Sequence, residues 1–436
     1  MGIRSIRAAA LGSLAALALY GCEEPTSTLA QNELPTGYWQ VSITLPGGDI
    51  ETGIELSRDG EIYRASLVNG RERVRIDEVS FIENELRLRF PAFNNEIRAM
   101  FADGQLKGEL TLVKRFGDTE VMPFSAKPGN DAEQESNDAS THDLSGRWAV
   151  SFHEPDGSDS ASIGEFAQRG SRLFGTFLNP NGDHRFLAGH VRGDEFHMST
   201  FDGAHAFVFS GSVSESGVIE NAGFWSGTSW HQTWSAERND NVELPDAFSR
   251  TFLKPGYDRF EFEFPNEEGT TVSIDDEKYK DKVVLITIAG TWCPNCNDEA
   301  RFLAPFYEDY RDQGLEIVAL LFEHFEDPDL AAQQARLFRE KFNIQYDTLI
   351  AGISDKTEAG RALPALSAVL AFPTTVFIDR GGRVREIHTG FTGPGTGEHY
   401  AQLQKRFTEL TTSLLAEPAD LIESLTGNEP DVADSE

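Results

Sequence analysis

The segment Trp292-Cys293-Pro294-Asn295-Cys296 constrains this chain more than any other. It follows an apolar run, 283–288, that reads as a buried strand. It opens a stretch, 297–313, whose apolar residues recur at helical spacing. Two cysteines separated by two residues at a strand-to-helix junction fix a local fold and a chemistry together. The first sulfur sits at a helix N-terminus, where free N–H groups and the helix dipole stabilise a thiolate. The second lies one turn on and can close a disulfide on it. The thiolate, not the thiol, attacks a disulfide.

The 436 residues contain one further cysteine, Cys22. It ends a leader made of Arg4 and Arg7, an apolar stretch over 8–19, and Leu19-Tyr20-Gly21-Cys22, which resembles the lipobox at which bacterial lipoproteins are cleaved and lipidated. Residues 1–22 are therefore expected to be a lipoprotein signal peptide, with Cys22 carrying lipid and tethering the protein to a membrane. The apolar stretch is short for a membrane span. A lipidated Cys22 leaves Cys293 and Cys296 only each other. Closing so small a loop restrains the unfolded chain little, so the pair reads as reactive rather than as a staple.

A chain of this length holds two to four domains. Its formal net charge of −33 argues against nucleic acid as a partner and against electrostatic docking to anionic lipid. Residues 128–144 form an acidic linker with almost no apolar side chain, and 417–436 form an acidic tail. Before and after the linker, 37–127 and 145–240 read as two copies of one unit. Gly37-Tyr38-Trp39-Gln40-Val41-Ser42 matches Gly146-Arg147-Trp148-Ala149-Val150-Ser151, and Phe124-Ser125-Ala126 matches Trp234-Ser235-Ala236 at nearly the same offset. Each copy shows short alternating runs broken by Gly, Asn and Asp, which predicts a small antiparallel barrel or sandwich. Trp39, Trp148, Trp225, Trp230 and Trp234 read as core, with a ligand pocket around 225–234 as the alternative.

The third unit, 257–416, alternates strand and helix, the pattern of a sheet covered by helices. Strands are expected at 259–264, 270–274, 283–288, 316–322, 374–378 and 384–388. Helices are expected after the cysteines, from Asp327-Pro328 to about residue 342, and from about 398 to 415. This unit resembles the TlpA-like thiol-disulfide oxidoreductases of the thioredoxin superfamily. The resemblance rests on Thr291-Trp292-Cys293-Pro294-Asn295-Cys296, on Phe372-Pro373-Thr374-Thr375 leading into a strand, and on Gly381-Gly382-Arg383-Val384 and the 390–397 stretch. It implies that Cys293 is the attacking nucleophile and Cys296 the resolving thiol. It further implies that Pro373 is a cis-proline facing them and that Trp292 shields the sulfur. Thr287 stands where many thioredoxins carry a buried aspartate. Glu323, near the end of the next strand, is the candidate proton acceptor.

Other chemistries fit less well. A structural zinc site wants four ligands, no second CxxC exists, and His324, His388 and His399 lack ligand spacing. Copper delivery on this fold would want CxxxC. A peroxiredoxin would want T-x-x-C, and Thr291 lies only two residues before Cys293. The expected function is thus an exported, membrane-tethered thiol-disulfide oxidoreductase in a bacterial cell envelope, on the periplasmic side. It would need no cofactor beyond the Cys293–Cys296 disulfide, reduce protein disulfides, and be recharged by a separate electron donor. The β units would act as spacer or docking module. The alternative is a binding lipoprotein whose β units carry the main function.

Overall fold

The computed structural model describes residues 33–129, 142–154 and 156–418. Cys22 with its leader, most of the 128–144 linker and most of the 417–436 tail lie outside the described residues.

Alternation builds the first β domain. In β1 (Gly37–Leu45), Trp39, Val41, Ile43 and Leu45 are buried, and the residues between them are not. With β2 (Gly48–Asp59), β3 (Ile62–Asn69), β4 (Glu72–Arg75), β5 (Glu78–Ile82), β6 (Glu85–Phe90), β7 (Asn95–Ala102), β8 (Gln105–Val113) and β9 (Thr119–Pro128) it forms one antiparallel sheet, ordered β4-β3-β2-β1-β9-β8-β7-β6-β5. Strands β4 and β5 do not pair, so this sheet is a half-barrel.

The second domain comprises β10 (Gly146–His153), β11 (Asp159–Arg169), β12 (Arg172–Asn179), β13 (Gly182–Asp183), β14 (Leu187–Arg192), β15 (Glu195–Phe201), β16 (Ala206–Ser212), β17 (Ile219–Ser226) and β18 (Trp230–Arg238). Here β12 pairs with both β11 and β14, and the sheet closes into an eight-stranded barrel with β13 as a flap on β12. Neither copy is a sandwich.

The copies share detail as well as pattern. Trp39 Nε1 donates to Pro35 O at 3.0 Å and Trp148 Nε1 to Leu144 O at 2.9 Å, each four residues back. Gly37 and Gly146 both take φ +113°, a conformation that favours glycine. Val41 lies opposite Ala126, as Val150 lies opposite Ala236. The copies differ in closure because they pack on each other. Phe201, Ala206 and Val208 of the barrel complete the core of the half-barrel, with Phe90 and Phe201 ring centroids 5.6 Å apart. Trp39, Trp148 and Trp234 are core residues; Trp225 stacks on His231 and Trp230 is exposed.

The C-terminal domain is thioredoxin-like. A short pair, β19 (Glu263–Pro265) and β20 (Thr271–Ser273), precedes β21 (Val283–Ala289), α1 (Pro294–Tyr310), β22 (Leu315–Glu323), α2 (Pro328–Phe342), β23 (Asp347–Ile353), α3 (Lys356–Ala362), β24 (Thr374–Ile378), β25 (Val384–Thr389) and α4 (Glu398–Ala416). The sheet order is β23-β22-β21-β24-β25, parallel across β21, β22 and β23 and antiparallel beyond. Every residue of β21 and β24 is buried, as expected for strands covered on both faces. The leading pair is shorter than 259–264 and 270–274 suggested, because Phe260 and Phe262 turn into the core. Strand β23 and helix α3 have no counterpart in the sequence reading.

Candidate active site

Strand β21 delivers the chain to the sheet's C-terminal edge, and Pro294 occupies the first position of α1, where its missing N–H costs nothing. Cys293 is the N-cap residue: its sulfur accepts from Cys296 N at 3.4 Å. Cys293 is 7% exposed and Cys296 1%. Both are free thiols. Burial, then the neighbouring Cys293, pushes the Cys296 thiol far up.

The loop entering α1 is held from several directions. Thr291 N and Oγ1 donate to Glu323 at 3.0 and 2.7 Å, Trp292 Nε1 donates to Phe322 O at 2.8 Å, and Asn297 Nδ2 donates to the carbonyls of Thr291 and Cys293, both at 2.9 Å. The Trp292 ring stacks on His324 at 4.6 Å and meets Phe372 edge-on at 5.8 Å. Cys293 Sγ lies 3.4 Å from Phe372 O, and the Phe372–Pro373 bond is cis. Cys293, Cys296, Trp292, Pro373 and Glu323 thus gather around one sulfur pair, with both Glu323 oxygens engaged by Thr291.

One residue of the site was not singled out in the sequence. Glu299 stands three residues beyond Cys296, on the same face of α1, and is 1% exposed. Thr287 and Thr375 donate to its two oxygens, so the threonine in place of a strand aspartate orients a carboxylate supplied by the helix. Burial pushes Glu299 up to about 7, against the pull of those two hydrogen bonds, and Glu299 in turn raises Cys296. Burial likewise pushes Glu323 up to about 7. The signal was present: an acid at i+3 from Cys296 in an otherwise apolar helix face. Lys356, at the start of α3, is another neighbour. Burial and the Arg250 cation push its ammonium down, while Cys293 pushes it up.

The β domains do not stand apart as a spacer would. Gly182 and Arg185 of the barrel lie against the first turns of α1, and Asn181 and Asp183 lie against Gly390 and Gly393. Gly182 leaves no room for a side chain beside the Asn295 amide and Phe391 O, and Asp183 Oδ2 accepts from Gly393 N at 2.6 Å. Arg185, 6% exposed, pairs with the buried Asp298 of α1 and with Glu72 of the half-barrel at 3.4 Å. Its Nε lies 3.0 Å from Asp202 Oδ2, a charge contact off the hydrogen-bonding direction. On the opposite side, the half-barrel's Phe116 N donates to His324 O at 2.9 Å, and Arg115 pairs with Asp355 at 2.7 Å.

A family model described as the AhpC/TSA family matches residues 255–387. The thiol-disulfide oxidoreductase ResA of Bacillus thuringiensis subsp. konkukian is 30% identical over 142 residues, 32% of this chain and 71% of that protein. ResA of Halalkalibacterium halodurans is 24% identical over 156 residues, 36% of this chain and 80% of that protein. A thiol:disulfide interchange protein of the thioredoxin family from Chlorobium tepidum aligns over 40% of this chain and 100% of that one, at 15% identity and a TM-score of 0.28. These matches fall on the C-terminal domain.

Proposed function

As the C-terminal domain of this chain belongs to the thioredoxin-like thiol-disulfide oxidoreductases, we propose that the protein reduces disulfides of exported proteins by dithiol exchange through Cys293 and Cys296. The observation that carries this reading is Cys293 as N-cap of α1, its sulfur on the Cys296 N–H and facing Phe372 O ahead of a cis-proline. The N-cap position holds the sulfur at the start of α1 on the Cys296 N–H and turned toward Phe372 O, where a substrate disulfide can reach it.

In the first step the Cys293 thiolate attacks one sulfur of a substrate disulfide. A mixed disulfide forms and the other substrate sulfur leaves as thiolate. Cys296 then loses its proton and attacks Cys293 Sγ. The second substrate thiolate departs, leaving the Cys293–Cys296 disulfide. Two electrons pass to the substrate, and a separate dithiol donor must restore the enzyme. Glu299, buried beside Cys296 with a carboxyl near neutral affinity for protons, is the acceptor for the Cys296 proton. Glu323 is the second candidate, and its engagement by Thr291 suits it better to fixing the loop. Pro373 shapes the backbone at Phe372 against which an extended substrate can lie, and Trp292 walls one side.

The Cys22 motif supports a lipid tether on the periplasmic face of a bacterial membrane. Cys22→Ala should leave an uncleaved or soluble protein, and mass spectrometry of the mature form is the check. The redox assignment is tested with single variants. Cys296→Ser should accumulate mixed disulfides through Cys293, whereas Cys293→Ser should not. Alkylation that labels Cys296 before Cys293 would reverse the two roles.

A further inference from the structure

The interior of the closed barrel is taken up by its own side chains, Phe152, Phe177, Phe209, Phe224 and Trp234 among them. A cavity of about 740 Å³ lies against its outer wall instead, where the three domains meet. That volume suits a small organic molecule. Strands β11 and β12 supply one side, the β3–β4 turn of the half-barrel a second, and Pro394 and Gly395 of the redox domain a third.

The lining divides into two chemistries. Phe166, Phe174, Phe186 and Leu187 make an apolar surface. Phe174 is left out of the barrel's core, unlike Leu173 beside it. The half-barrel holds it in place: a methyl group on Gly70 would lie 3.1 Å from its ring, and the Arg172 guanidinium lies 5.0 Å from its centroid. The charged lining is Arg71, Arg147 and Arg169 against Glu165 and Asp240. Glu165 is already engaged by His399 at 2.9 Å and by Arg147 at 3.5 Å. Arg71 and Arg169 make no hydrogen bond or ion pair with any described residue. This chain carries 71 acids against 38 lysines and arginines. Two arginines left without an acid at one cavity, in so acidic a protein, mark that cavity for an anion.

We propose that this cavity binds an amphipathic monocarboxylate, its apolar body on the Phe166, Phe174 and Phe186 surface and its carboxylate drawn by Arg71 and Arg169. Guanidinium forks match a carboxylate and stay charged at any working pH. Three arginines face two acids here, so one negative charge completes the balance and a phosphate monoester exceeds it. The acidic 128–144 linker has the charge but almost no apolar side chain, so it answers only half of the lining. The site stands apart from the dithiol-exchange reading, since neither Cys293 nor Cys296 lines it.

The test titrates the full chain by calorimetry with decanoate below its micellar concentration, with decan-1-ol and with acetate. Decanoate should bind at one site, decan-1-ol about tenfold more weakly, and acetate not measurably. The double variant Arg71→Gln, Arg169→Gln should weaken decanoate about tenfold and leave decan-1-ol unchanged. Both arginines are exposed and unpaired, so its thermal midpoint should hold. Phe174→Ser should weaken decanoate and decan-1-ol together. No decanoate binding, equal binding of decanoate and decan-1-ol, or decanoate affinity that survives either variant overturns the proposal. Binding to phosphatidylglycerol vesicles without binding of monomeric decanoate overturns it as well, and makes the arginines a membrane contact. A decanoate site that opens only on deletion of 130–141 gives the cavity to the linker and overturns it too.

Discussion

Glu299 and Cys296 form a buried acid pair whose protons depend on each other. Both are pushed up by burial, and each ionised form opposes the other. The resolving step should therefore quicken as pH rises through about 7, where the Glu299 carboxyl ionises and can take the thiol proton. Glu299→Gln keeps the shape and removes the base. Decay of a Cys293 mixed disulfide should slow by about a hundredfold, and the inflection near neutrality should vanish. Glu323→Gln, which loosens Thr291, should leave that inflection in place. An unchanged profile in Glu299→Gln would exclude it as the acceptor. Stability carries the same signature. For a carboxyl whose folded affinity for protons is raised from 4.5 to about 7, the stabilisation is fully present below about pH 4.5 and is lost as pH rises through about 7. Glu299→Gln should flatten that decline in a series of thermal melts. Its role was hard to foresee in the sequence because its partners, Thr287 and Thr375, come from two different strands. The cysteine pair at a helix start was legible because that signal is local, whereas Pro373 entered only through the resemblance of Phe372-Pro373-Thr374-Thr375 to a family pattern.

At the scale of elements, the crest between β12 and β14 decides how the barrel meets α1. Arg185 is surrounded by Glu72, Asp202 and Asp298, each buried or nearly so. Removing it takes away the buried cation these acids share, leaving Asp298 only the more exposed Arg301 and Asp202 only His205, so Arg185→Ala should cost about 3–5 kcal/mol in thermal or denaturant unfolding. Lysine should rescue only in part, since one ammonium cannot meet three carboxylates in different directions. Gly182→Ala tests the same contact without charge. Its φ of +150° and the adjacent Asn295 amide leave no place for a methyl group. Both variants should loosen the cover over the CxxC helix, read as faster amide exchange across 293–299. Unchanged exchange would mean that the barrel merely touches α1. Strand alternation in each copy and the capped start of α2 at Asp327 were legible, because periodicity and caps are short-range signals. The cover was not, since Gly-Asp-His-Arg in sequence is an ordinary turn. Nor were β23 and α3: a seven-residue strand and a seven-residue helix leave little periodicity to read.

At the scale of the whole molecule, the two copies are unequal partners. The barrel closes on itself and buries Phe152, Phe177, Phe209, Phe224 and Trp234 in its own core. The half-barrel cannot do this, and its core is finished by Phe201, Ala206 and Val208 from the barrel's wall. Polar contacts follow the same seam: Asn69 Nδ2 donates to Phe201 O at 2.9 Å, Asn95 Nδ2 to Gly203 O at 2.8 Å, and Glu51 N to Ser199 Oγ at 3.0 Å. Duplication followed by such packing makes one copy the scaffold of the other, and the half-barrel in turn reaches the redox domain through Arg115 and Phe116. The expected folding behaviour follows from where the apolar surface is buried. A fragment spanning 142–240 should fold alone, with dispersed amide resonances and a cooperative melt. A fragment spanning 33–129 should not, because its open face would leave Phe90 and its neighbours in water. Mixing the two should restore order to the second. In the full chain, Phe201→Ala should cost about 3–5 kcal/mol and destabilise both β domains together, since one side chain serves the seam between them. A half-barrel fragment that folds by itself, or a Phe201→Ala melt that splits into two well-separated transitions, would show that the copies are independent after all.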